Sequence, residues 1–153
     1  MRWLFESTSQ KTATAVVQYR PNEESFDTIP FLGEPYTSIL VRDVSIEVDE
    51  AGYVIGAWGY SPKASWREAR LQAPLSSLGR AKLVIDSQLS RGVSASMAGR
   101  WDATVLHDPE SGWVRIGLPD VAGTKSIMIV EGLILTIDEA GSFVALWLKP
   151  SSR

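Results

Sequence analysis

His107 is the only histidine in the chain, and it stands beside Asp108, just before the turn Pro109-Glu110-Ser111-Gly112. A histidine, a carboxylate and a serine are the parts of a nucleophilic triad, so hydrolase-like chemistry centred on His107 is the enzymatic reading. The spacing argues against it. Neighbours along a strand point to opposite faces, so His107 and Asp108 should not pair. The chain has no G-x-S-x-G elbow, the turn that exposes a nucleophilic serine. It also lacks a phosphate loop and G-x-G-x-x-G, the backbone cradles for nucleotide phosphates. No catalytic residue and no cofactor is assigned.

Two carboxylate pairs come next. Asp49-Glu50-Ala51-Gly52 recurs as Asp138-Glu139-Ala140-Gly141. Facing acids at a set separation could hydrolyse a glycoside, and clustered acids could hold calcium, which needs about six to eight oxygen ligands. One tetrad cannot supply that number. Asp at the start and Gly at the end of such a tetrad is turn chemistry, with the Asp side chain accepting backbone N–H groups. These tetrads are expected to be solvated hairpin tips, and no metal site is assigned. With no cysteine, disulfides, thiolate catalysis and cysteine-ligated zinc are excluded.

The remaining chemistry is recognition. The chain holds six tryptophans and a net charge of −3. Residues 62–100 carry seven Lys/Arg against two Asp/Glu, whereas residues 1–61 carry four against nine. Arg and Trp are the side chains most enriched at binding hot spots. Trp66, Arg67, Arg70, Arg91, Met97 and Arg100 are therefore the candidate partner-binding residues. The basic segment reads either as charge balance for the acidic copies or as a surface for a protein partner; nucleic acid is not expected, because the whole chain is acidic and no basic motif is interleaved with aromatics. Trp58 and Trp147 sit amid apolar neighbours and are expected in the core, whereas Trp66, Trp101 and Trp113 are expected at least partly exposed.

The elements that must carry these residues follow from hydrophobic period. Residues 37–60 and 126–149 read as two copies of one stretch. Val44, Ile46 and Val48 alternate with Ser45 and Glu47, and Leu133, Leu135 and Ile137 take the matching places. Alternation of period two is a strand with one buried face. Each copy is expected to form one long β-hairpin, with a bulge or bend where Asp43 matches Gly132, and with a bulky side chain over the small residues Gly56 and Ala145. Weaker matches extend the copies: Val16-Val17 meets Val105-Leu106, and residues 3–7 resemble 83–87.

The expected fold is mainly β: a single domain over 1–153, built as an antiparallel pseudo-twofold tandem repeat (about 1–61 and 81–153). It should form a sandwich or flattened barrel. Ser61-Pro62 followed by K-A-S-W-R-E-A-R-L predicts one short helix in a linker over 62–80, since Pro favours the first helical turn. Residues 88–100, rich in Ser, Ala and Gly, predict a mobile recognition loop. No apolar run is long enough to span a bilayer, and Glu6 arrives too early for a signal-peptide core, so no membrane association and a cytoplasmic location are expected. A small acidic chain with no catalytic motif fits a non-catalytic protein-binding role, of the kind filled by bacterial immunity or antitoxin-type inhibitors of a toxin. A small-molecule or glycan-binding β protein, using the space between the halves, is the alternative.

Overall fold

The computed structural model describes residues 4–8, 14–84, 91–97 and 99–151. The strands are β1 (Leu4–Thr8), β2 (Val16–Arg20), β3 (Ser25–Ile29), β4 (Thr37–Val41), β5 (Val44–Val48), β6 (Val54–Tyr60), β7 (Arg67–Glu68), β8 (Ser77–Leu78) and β9 (Arg80–Val84). They continue with β10 (Ala95–Ser96), β11 (Thr104–His107), β12 (Val114–Gly117), β13 (Lys125–Val130), β14 (Leu133–Ile137) and β15 (Phe143–Leu148). The first sheet runs β10-β4-β5-β6-β3-β2, the second β7-β11-β12-β15-β14-β13-β8, and β1 with β9 forms a separate ribbon. Alternate residues of both sheets meet in one core: Ile39, Val44, Ile46 and Val48 from the first, Ile116, Leu133, Leu135 and Leu146 from the second, with Phe5 and Leu83 from the ribbon. The molecule is a mainly β sandwich, as its period-two patterning predicts.

The two sheets correspond in detail at their centres. Ser45 pairs with Trp58 and Glu47 with Gly56, and an irregularity falls before the Val48–Val54 pair. Ile134 pairs with Trp147 and Thr136 with Ala145, and the irregularity recurs before Ile137–Phe143. The correspondence weakens outward. Val16 pairs with Ile29 in the first sheet, whereas its sequence counterpart Val105 pairs with Ile116 in the second. The suggested match of residues 3–7 with 83–87 falls largely outside the described residues.

Residues 37–60 are not one hairpin. The chain reverses twice, giving a three-stranded meander β4-β5-β6, and β13-β14-β15 does the same. At the place read as a bulge, Val41 pairs with Val44 across Arg42 and Asp43, and Val130 with Leu133 across Glu131 and Gly132. Left-handed backbone makes these tight turns: φ is 53° at Arg42 and 85° at Gly132. The D-E-A-G tetrads do turn the chain as read. Gly52 N–H donates to Asp49 O and Gly141 N–H to Asp138 O, both at 3.0 Å. The Asp49 carboxylate accepts from Tyr53 N–H, and that of Asp138 from Ser142 and Ala140 N–H. They are not free tips, however. Gly52 O accepts from Leu83 N–H and Gly141 O from Phe5 N–H, each at 2.7 Å.

The linker is not helical. Among the described residues the sole helical element is a 3-10 turn at Lys63–Ser65, and Trp66 is already extended (φ −80°, ψ 138°). The run between Pro62 and Pro74 is too short for a stable isolated helix, and the edge of β11 offers its backbone better partners. β7 pairs with β11 in parallel, and β8 pairs with β13 at the other edge of the same sheet. Between them the chain crosses the outer face of the second sheet, where Leu71 packs on the cluster of Ile134, Val144, Ala145 and Trp147. This strap separates the two tryptophans that the sequence equates. Trp147 is 7% exposed, as expected, but Trp58 is 51% exposed and is not a core residue. Trp147→Ala should therefore cost about 3–5 kcal/mol in chemical denaturation, the range for deleting a buried aromatic. Trp58→Ala should cost less than about 1 kcal/mol, like other surface replacements.

Candidate functional site

The basic residues singled out by sequence do not form one patch. Arg100 lies at one edge of the first sheet, against the Arg42–Asp43 turn. Its Nε donates to Arg42 O at 2.6 Å, and Nη1 to Ser96 Oγ at 3.1 Å. Its Nη2 lies 3.5 Å from Asp43 Oδ1, and Arg42 N–H donates back to Arg100 O. Arg42 Nη1 donates to Ala103 O at 2.9 Å. These bonds hold the left-handed backbone at Arg42. They also aim two guanidinium groups at one ring: Cζ of Arg100 lies 4.2 Å from the Trp101 ring centre and Cζ of Arg42 6.0 Å. Trp101 remains 59% exposed.

A small cavity of about 80 Å³ runs from this turn to the linker, lined by Arg42, Asp43, Tyr60, Pro62 and Ser65. Its rim includes Tyr60, 49% exposed. Trp66 stands past the linker's 3-10 turn, but as a half-buried strut. Its ring stacks on Phe26 and meets Tyr19 and His107 edgewise or tilted, with centroids 4.9–5.9 Å apart. Its Nε1 donates to Ser61 Oγ at 2.9 Å. Arg67 and Arg70 are exposed on and beside β7, Arg91 is exposed, and Met97 is buried in the core cluster. Met97 therefore contributes packing and offers no surface. Part of the expected recognition loop, Ala95–Ser96, is ordered as β10 beside β4; residues 88–90 and 98 lie outside the described set. Sequence reasoning missed Arg42. The available signal was an arginine and aspartate between two apolar strand residues, which marks a tight turn.

The structure keeps His107 and Asp108 apart. Asp108 accepts backbone N–H groups from Leu71 and Glu110, and these bonds, Leu71 first, hold its carboxyl below the usual carboxylate range. The carboxylate thus anchors the strap and closes the turn, while the His107 ring packs on Trp66. Among the described residues, no three metal-ligating side chains converge and no helix is long and apolar enough to cross a membrane.

Two further features have chemistry. A cleft of about 460 Å³ lies between β2 and the end of the second sheet, lined by Val16, Trp113, Met128, Glu131 and Lys149 among others. On the outer face of the first sheet, Phe31 fills the space over Gly56; a Cβ there would come within 2.6 Å of its ring. Beside Gly56 in register stands Glu47, whose Oε2 is buried without a hydrogen-bond partner. Burial pushes its carboxyl above the ordinary value, and a hydrogen bond from Ser38 opposes the shift.

Comparison with known proteins returns no matching family model and no matching curated sequence.

The raised carboxyl of Glu47 has a sign. The folded state holds this proton more tightly than the unfolded chain, so Glu47 detracts from stability once pH rises above its unfolded value, near 4.5, and through the folded one. Glu47→Gln should stabilise the protein at neutral pH. The advantage should shrink as urea titrations move below the unfolded value; an equal advantage at both ends of that range would assign the effect elsewhere.

Proposed function

We propose that the chain is a non-catalytic protein-binding module that docks an acidic partner at the Arg42–Arg100–Trp101 edge of the first sheet. The observation that carries this reading is the exposed Trp101 ring, backed by two guanidinium groups that backbone bonds hold in place. Rigid Trp and Arg anchors lose little freedom on binding and are the side chains that dominate interface energetics. Tyr60, on the rim of the cavity that starts at the Arg42–Asp43 turn, extends the aromatic surface, and carboxylates of a partner would gain charge-assisted bonds from the two guanidinium groups. The absence of cysteine suits a reducing compartment. In this reading the protein is cytoplasmic and bacterial, and acts as an immunity or antitoxin-type inhibitor that covers an acidic surface of a toxin.

A second reading rests on the cleft beside Trp113. At about 460 Å³ it falls in the size range of small-molecule sites, and its apolar wall with Lys149 and Glu131 at the rim would suit a small amphipathic ligand or a sugar.

The first reading is tested by affinity capture with the tagged chain from its native host, using the Trp101→Ala form in parallel. The partner should be retained by the unmodified chain, bind Trp101→Ala at least about tenfold more weakly in calorimetry (about 1.4 kcal/mol), and lose affinity as salt screens exposed charges. A partner held equally by both forms, with no salt dependence, would move the site away from this edge.

A further inference from the structure

The two sheets match strand for strand except at one edge. The meander β4-β5-β6 corresponds to β13-β14-β15, and β10 and β8 each pair in parallel with the first strand of their meander. β2 and β3 correspond to β11 and β12. Tyr19 pairs with Phe26, and Phe26 with Gly59; His107 pairs with Val114, and Val114 with Leu148. Tyr19 and His107 both meet the Trp66 ring. β7 is the strand left over. It extends the second sheet beyond β11, where Arg67 pairs with Leu106 and Glu68 with His107, and Ala69 N–H donates to His107 O at 2.9 Å. Among the described residues, no strand takes the equivalent place beside β2.

The β2 edge is open there. Val17 O points away from β3, since it accepts from Ser151 N–H at 2.7 Å, and the backbone groups of alternate residues in an antiparallel strand share one direction. The N–H and C=O of Tyr19 therefore face outward as well, and they have no backbone partner among the described residues. Unpaired edge groups of this kind are a template for a further strand.

The cleft beside this edge differs from its counterpart in the same way. Glu131, Gly132 and Lys149 line it where Arg42, Asp43 and Tyr60 line the small cavity of the first meander. The 3-10 turn of the linker reaches over the small cavity, with Ser65 in its wall, and leaves about 80 Å³. Among the described residues no such turn covers the cleft, which keeps about 460 Å³. Its wall is apolar at Val16, Trp113 and Met128, and Val16 is 38% exposed. Lys149 is directed to the Trp113 ring, with Nζ 5.9 Å from the centre, whereas Glu131 is exposed and has no ion pair among the described residues.

We infer that an extended segment of a partner protein adds to β2 as a parallel strand and lays its preceding turn in the cleft, as residues 61–69 do beside β11. Tyr19 gives this strand the main-chain bonds that His107 gives to β7. Main-chain pairing supplies affinity in such complexes, and a neighbouring pocket selects side chains. Here the cleft selects an apolar side chain, and Glu131 adds a charge-assisted bond to a basic one. The surface is separate from the Trp101 edge and stands whether or not that edge binds a partner. It also gives the cleft an occupant other than a small ligand.

The test uses the purified chain and a fluorescein-labelled peptide with the sequence of residues 61–70, which carries Lys63, Trp66 and Arg67. Fluorescence anisotropy should show saturable binding. Affinity should fall about tenfold or more when the peptide is N-methylated at the Ala69 nitrogen, which removes the donor for Tyr19 O. It should fall as much in Val16→Asp, weaken in Glu131→Lys, and stay unchanged in Trp101→Ala. Circular dichroism of each variant checks that it is folded; all three replaced side chains are exposed. Absence of peptide binding overturns the proposal, as does binding indifferent to N-methylation and to Val16→Asp. Sedimentation of the chain alone tests a second copy as the occupant: a dimer that Val16→Asp disrupts, with no peptide binding, would overturn the proposal and assign the edge to self-association. Octyl glucoside, titrated in parallel by calorimetry, tests the small-ligand reading: its binding without that of the peptide would overturn the proposal and leave that reading standing.

Discussion

The arrangement depends on two hydrogen bonds that cross between the halves of the chain. The ribbon strand β1 precedes the first sheet, yet Phe5 N–H donates to Gly141 O in the second; β9 precedes β11 to β15, the main strands of the second sheet, yet Leu83 N–H donates to Gly52 O in the first. Phe5 and Leu83 also face each other within the ribbon, and both side chains enter the common core. Each bond in isolation contributes only about 1 kcal/mol. Their placement matters more, because each fixes a turn of one sheet to a strand that is continuous with the other. The approach demands glycine: a Cβ at Gly52 would lie 3.0 Å from Leu83 O and one at Gly141 2.7 Å from Phe5 O, and both residues have left-handed φ (95° and 90°). The D-E-A-G tetrads thus serve as turns and as sockets for the ribbon.

The strap explains why similar strands have different surfaces. Covering the second sheet buries Trp147, and its indole N–H must then find a partner within the protein. It donates to Thr136 Oγ1 at 3.2 Å, which in turn shares a 2.7 Å bond with Ser126 Oγ. Arg115 is buried near the same face; its Nη2 donates to Leu118 O and reaches Asp120 at 2.9 Å, while its Cζ lies 5.6 Å from the Trp147 ring centre. On the first sheet no such network surrounds Trp58 among the described residues, and serine and glutamate replace isoleucine and threonine. Polar alternation on one sheet and near-continuous apolar character on the other follow from what lies above each.

Much of the scaffold was legible in the residues. Period-two alternation placed β5, β14 and their return strands, and the Asp-to-Gly spacing placed the D-E-A-G turns. The bend at Asp43 was legible, but its extent was not: the chain reverses there completely, and the left-handed arginine that allows this is held by bonds to Arg100 and Ala103, far along the chain. The linker was misread for a related reason. K-A-S-W-R-E-A-R-L has reasonable helix propensity, but open edges on β11 and β13 claim its backbone, and tertiary pairing overrides propensity. The equal treatment of Trp58 and Trp147 overlooked a signal that was present: Ser45 and Glu47 flank the first where Ile134 and Thr136 flank the second. Of the candidate site residues, the exposed arginines are where a charge count would put them. Trp66 and Met97 are not, since composition does not reveal which way an aromatic or a methionine turns.

The crossed ribbon also sets an order on synthesis. Residues 4–8 leave the ribosome well before their ladder partners in β9, which follow more than seventy residues later, and the Gly141 carbonyl comes later still. Contacts of such separation close slowly, because the intervening chain must first surrender its freedom. The first sheet can form its β4-β5-β6 meander early from local turns, while β1 waits with Phe5 exposed. Completion of the sandwich is therefore a late event, because until the second D-E-A-G turn emerges the Phe5 N–H lacks its acceptor at Gly141.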